Sequence, residues 1–216
     1  MSNRSEAEEH LRLIRSLMER ANIYRAISAP AALLGGICSV LVAGAGLWLS
    51  HPWLELPGEA WRFAIPWTAV LLVTTAANFW LLRRGALRRG EVFISPGFRL
   101  ALRAMLPALL GGAVCSVLNG DGNWALTASL WVLFYGISLL AASHFAPKSI
   151  CWLGRAFFVA GVGLLLFGSL VSSWWIGHRQ LLAAHAIMGA TFGLFHLAYA
   201  AATWPRTARV ESASGA

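Results

Sequence analysis

Residues 26–49 read AISAPAALLGGICSVLVAGAGLWL. This stretch is 24 residues long and carries no charged side chain. A bilayer-crossing helix needs about 20 apolar residues in a row, so the stretch predicts a membrane span. Working outward, Ser50-His51-Pro52 closes it. Five further apolar runs follow: 61–82, 104–118, 124–145, 150–173 and 180–203. Arg83-Arg84, the segment 119–123, Ala146-Pro147 and Pro205 punctuate them, as Pro and Gly do at element boundaries.

Composition agrees with six spans. Of 216 residues, 58% are apolar and 12% charged, against roughly 45–50% and 25% in a soluble domain. Six spans of about 20 residues use about 120, nearly the whole apolar content. A soluble globule, a disordered chain and a fibrous repeat are excluded. The fold predicted is an all-α polytopic bundle of six transmembrane helices arranged as three hairpins. Residues 26–204 form the membrane domain, preceded by 1–25 and followed by a tail, 205–216.

The net charge of +8 would suggest nucleic acid in a soluble protein. Here its distribution points to threading. Residues 1–25 hold five Arg and 83–103 hold six. Lys148, Arg155, Arg206 and Arg209 bring that side to 15, whereas the other side has only Arg62 and Arg179. Such asymmetry places both termini in the cytoplasm and suits a bacterial inner-membrane protein. Trp48, Trp53, Trp61, Trp124, Trp174 and Trp175 then fall at the outer interface, and Trp80, Trp152 and Trp204 at the inner one. These are two aromatic belts.

A repeat runs through the first four spans. Residues 25–41, RAISAPAALLGGICSVL, match 103–118, RAMLPALLGGAVCSVL, with one or two single-residue gaps. The copies run the same way through the membrane. They imply a parallel hairpin repeat (25–86 and 103–145, with a fainter echo in 155–203) rather than an inverted one. Gly35-Gly36 and Gly111-Gly112 read as surfaces where helix backbones approach. The segment 5–24 reads as an amphipathic surface helix. Ser5 and Glu8 form a capping box, and Leu11, Ile14, Met18 and Ala21 share one face.

No Asp or Glu lies within a span, which removes the usual proton- or sodium-coupling carboxylate. Asn78, His144, His196 and Tyr199 are the main polar groups inside the spans, all in the inner third. Arg25, Arg103 and Arg155 lie near the same level. Together these seven residues predict a cytoplasm-facing pocket for a lipid headgroup or another small anion. Their alternative use is hydrogen bonding from helix to helix. Three cysteines without paired spacing predict neither a disulfide framework nor a zinc site, and no metal or cofactor is expected.

Two further readings arise from the histidines and from scattered motifs. His185 and His196, eleven residues apart, would lie about 20° apart around a regular α-helix and about 16 Å along it. That raises b-type haem, for which only His144 is at hand as a partner within the membrane. Fragments also resemble the rhomboid intramembrane proteases: Trp61-Arg62, Asn78, Gly136-Ile137-Ser138, and His185 followed by Gly189 and Gly193. That resemblance implies a serine nucleophile at Ser138 activated by His185. The chain departs from the pattern where Leu139 replaces the last glycine of the serine motif. Thr74 or Thr75 also stands where a histidine is expected, and Ser138 lies deeper toward the cytoplasm than His185.

The function expected is therefore non-enzymatic: binding membrane lipid or a protein partner, or serving as an accessory membrane subunit or homo-oligomer, without nucleic acid. A small oligomeric transporter or channel is the alternative, followed by a haem protein or a degenerate rhomboid-like protein.

Overall fold

The computed structural model describes residues 28–49, 59–90, 96–119, 123–143, 146–171 and 180–204, with His10 and Ile94 beside them. Among these residues there are helices and turns but no strand. Six helices are long and apolar enough to cross a membrane, as in a multi-pass membrane protein. They are α1 (Ala29–Leu49), α2 (Glu59–Arg89), α3 (Pro96–Asn119), α4 (Trp124–Ala141), α5 (Lys148–Val171) and α6 (Gln180–Trp204). Arg25, His144, the tail 205–216 and the segment 5–24, apart from a helical and exposed His10, lie outside the described residues.

Helix boundaries follow local chemistry. Asn123 caps α4, its side chain accepting the Leu126 N–H at 2.9 Å, which satisfies one of the orphan donors of a first turn. Pro96 opens α3, where its missing N–H costs nothing. Gly90 follows α2 with φ +66°, the left-handed conformation that a glycine adopts without a Cβ penalty. Pro66 and Pro107 lie inside α2 and α3, so the carbonyls four residues back, of Arg62 and Arg103, have no proline N–H to accept.

The helices do not contribute equally to the core. The centre is formed by α4 and α6, which pack on each other. Helix α4 also carries α5 and α3 on its flanks, while α6 carries α1, and α2 lies on α1. Of the sequential pairs, α1–α2, α3–α4 and α4–α5 pack side by side, whereas α5 meets α6 chiefly along the middle of α6. The most apolar stretches of α2 and α3 are almost entirely unburied, whereas those of the other four helices are about a third to nearly half buried.

Glycines set the close approaches. A Cβ at Gly136 would run into the backbone of Phe157 and Phe158, and one at Gly161 into the backbone of Leu133. Helices α4 and α5 therefore touch main chain to main chain, the geometry that small residues permit within a bilayer. The repeated glycine pairs do serve as contact surfaces, but against different neighbours. Gly35 and Gly36 face Thr74 of α2 and Leu197 of α6, while Gly111 and Gly112 both face Phe134 of α4.

Candidate functional site

The middle of α6, Gly189–Phe195, is a π-helix. Its wider turns place small residues against α1: Gly189 on Ala43 and Gly193 on Val40. A π segment amounts to one extra residue accommodated in an α-helix, so it removes about 100° of rotation, one α-helical step. His185 and His196 thus do not share a face, although their spacing on a regular helix would place them on one. They point to different neighbours and form two separate polar centres.

His196 faces α4 and α5. Its Nδ1 is 2.8 Å from the Phe192 carbonyl and its Nε2 is 3.1 Å from the Tyr135 hydroxyl. A carbonyl only accepts, so Nδ1–H donates to it. In the neutral ring Nε2 then accepts the Tyr135 O–H. Both ring nitrogens are used. The main-chain N–H of His196 bonds Gly193 O, so the histidine side chain takes up the carbonyl that the π ladder leaves behind. Around it, Tyr135 meets Phe157 edge-on at 4.8 Å, and the Phe192 ring stacks on His196 at 6.1 Å.

His185 lies near the opposite end of α6 and is 1% exposed. Trp67 Nε1 on α2 donates to its Nδ1 at 3.1 Å. Phe63 meets the imidazole edge-on at 5.5 Å and stands 5.7 Å from both Trp124 and Trp131 of α4. A Cβ at Gly46 of α1 would overlap the imidazole, so α1 and α2 close on this ring of α6, with the α4 tryptophans behind Phe63. An indole N–H can only donate. It therefore fixes the neutral tautomer of His185 with the proton on Nε2. That Nε2 is buried and makes no hydrogen bond among the described residues.

This tautomer bears on the haem reading. A haem iron would need a ring-nitrogen lone pair, whereas Trp67 occupies the one on Nδ1 and leaves a proton on Nε2. His196 spends both of its nitrogens as well. For a serine nucleophile the geometry is equally unhelpful. The Ser138 hydroxyl, fully buried, donates to Tyr135 O in its own helix at 2.7 Å, and the acceptor nitrogen of His185 is held by Trp67.

The residues expected at an inner pocket are placed as follows. Tyr199 is buried, one turn beyond His196, and Asn78 is half-buried on α2. Arg103 and Arg155 are exposed on α3 and α5, and the Arg155 guanidinium lies over the Trp152 ring at 5.1 Å. His196 is thus brought to Tyr135, a residue that sequence reasoning did not single out.

The belts gave a usable signal for what was missed. Of the 11 tryptophans, Trp67 and Trp131 belong to neither belt. Both use their N–H within the protein, Trp67 on His185 and Trp131 on Ser116 of α3. Trp48, Trp61, Trp80, Trp152 and Trp204 are exposed, as anchors should be. Trp124 departs from that expectation: it is buried because Phe63 reaches across from α2 to pack on it. Compared with known protein families, curated proteins and solved structures, the chain shows no match.

Proposed function

We propose that this chain is a non-enzymatic membrane protein of the bacterial inner membrane that binds lipid or a partner subunit within the bilayer. Both termini face the cytoplasm in this reading, which the 15-to-2 division of Lys and Arg supports. The observation that carries it is where the core hydroxyls go. Ser129, Ser138, Thr191 and Thr203 donate to carbonyls of their own helices, Ala125, Tyr135, Ile187 and Tyr199, and Ser116 bonds Gly112 O in the same way. Polar atoms committed to their own backbones do not form a path for a solute. Meanwhile the apolar faces of α2 and α3 are left to the bilayer or to a partner. At the inner edge Arg84 lies over Trp80 and Arg155 over Trp152, each at 5.1 Å. Such pairs suit anionic headgroups, at about 1 kcal/mol per basic residue near the surface.

Native mass spectrometry of protein extracted in lipid nanodiscs tests the reading. Lipid or a second protein should stay bound in a fixed ratio. A bare chain, together with solute flux in proteoliposomes above that of protein-free vesicles, would sink it. Orientation is checked separately: a fluorescent protein fused to the C-terminus should fluoresce, and alkaline phosphatase fused there should be inactive. The unburied faces of α2 and α3 favour one second reading, an oligomer in which several copies line a channel.

A further inference from the structure

We infer that the outer ends of α2, α4 and α6 hold a binding site for a phosphate-type oxygen, with His185 Nε2–H as its buried donor and Arg62 as its counter-charge. The inference rests on the lipid-binding reading and names the chemistry of one site within it.

Three observations point the same way. First, Trp67 fixes the proton of His185 on Nε2, and that donor is buried with no acceptor among the described residues. A buried donor without a partner costs about 1–3 kcal/mol, so its persistence calls for an acceptor from beyond the described residues, which a bound ligand supplies. Second, the ring is set between aromatic side chains, Phe63 and Trp67, with Trp124 and Trp131 behind Phe63. Away from water a single hydrogen bond is strengthened. Third, Arg62 adjoins Phe63 on α2, the residue whose ring meets the His185 imidazole at 5.5 Å. A cation beside a neutral N–H selects an anionic oxygen over a ketone or amide carbonyl.

The position selects a lipid source. His185 lies five residues beyond Gln180, the first residue of α6, or about 8 Å along the helix. Trp61, two residues before Phe63, is exposed, as a side chain at a headgroup belt is. A phosphodiester of the outer leaflet is at hand at that depth. A free phosphate ion would offer the same oxygens but would have to leave water to reach them.

The test uses the full chain in detergent, labelled with ¹⁵N-histidine. Three probes are compared: dihexanoyl phosphatidylglycerol, dihexanoylglycerol (which lacks the phosphate) and inorganic phosphate. The phosphatidylglycerol should shift the His185 Nε2–H resonance and raise the unfolding temperature, and dihexanoylglycerol should do neither. H185F keeps the ring volume but removes both nitrogens. It should bind the lipid about tenfold more weakly, the loss of one charge-assisted hydrogen bond. R62Q should weaken binding to a similar degree. An equal response to inorganic phosphate would assign the same site to a soluble anion. A His185 resonance unmoved at saturating lipid would overturn the inference whether or not H185F folds, as would an equal response to dihexanoylglycerol. Retention of lipid or partner by H185F in native mass spectrometry, without that resonance shift in the wild type, would leave the broader reading standing and remove this site alone. A wild-type chain that retains neither would remove both.

Discussion

Two histidines on one helix differ in what their neighbours leave them. His196 has a donor and an acceptor in reach, Tyr135 and the Phe192 carbonyl, and uses both. His185 has only the Trp67 donor. The first is a helix-to-helix tie and the second a tie with one donor left over. Y135F should therefore cost stability, because it strips the partner from a buried acceptor. Bonds between membrane helices contribute about 0.6 kcal/mol on average and up to about 1.7. A loss near the upper end of that range, read by unfolding in mixed micelles, is the expected result. A stability equal to wild type would show that the Tyr135 hydroxyl does not hold His196. Residue types told some of this in advance. Trp67 and Trp131 lay off the belts, and indoles away from an interface need a partner for the N–H. No spacing in one sequence could pair Trp67 with His185 across 118 positions.

At the scale of elements, the spans themselves were readable and their interior was not. The ends of α1, α4 and α6 fall within a few residues of the apolar runs, since charge, proline and glycine mark where a span leaves the hydrocarbon. The π stretch carries no hydropathy signal. Its glycines, Gly189 and Gly193, could equally have been packing residues on a regular helix, and they are that as well. The glycine contacts make a paired prediction. G136A places a methyl group against the α5 backbone and should destabilise the protein by about 1–3 kcal/mol, as overpacking does. G163A meets nothing within 4 Å and should be neutral or up to about 1 kcal/mol stabilising, from helix propensity. Equal unfolding midpoints for the two variants would contradict the close α4–α5 approach.

For the whole molecule, hydropathy found the six spans but could not tell which stand in the middle. Lipid and protein core are equally apolar, so α3 and α1 look alike in sequence down to their glycine pairs. Only packing separates a helix lying between α2 and α6 from one with α4 as its main neighbour. The expectation of three hairpins also does not foresee that α1, the first of the six described spans, lies along α6, the sixth. Cysteine crosslinking checks this arrangement in a background with Cys38, Cys115 and Cys151 replaced by Ser. V40C/G193C should close an intrachain disulfide on mild oxidation, because Val40 Cγ2 lies 2.8 Å from a Cβ built at Gly193. Absence of the faster-migrating band would place α1 elsewhere.

The π stretch of α6 also has a genetic consequence. If one residue in 189–195 is surplus to a regular helix, removing its codon lets the segment relax to α-helix while the flanks keep their bearings. His185 would still meet Trp67, and His196 would still meet Tyr135. The same deletion made within 180–188 would turn the helix on one side of the cut by about 100° and pull a histidine away from its partner. The last span thus holds a short reading-frame interval in which its length can drift by one residue without disturbing its neighbours.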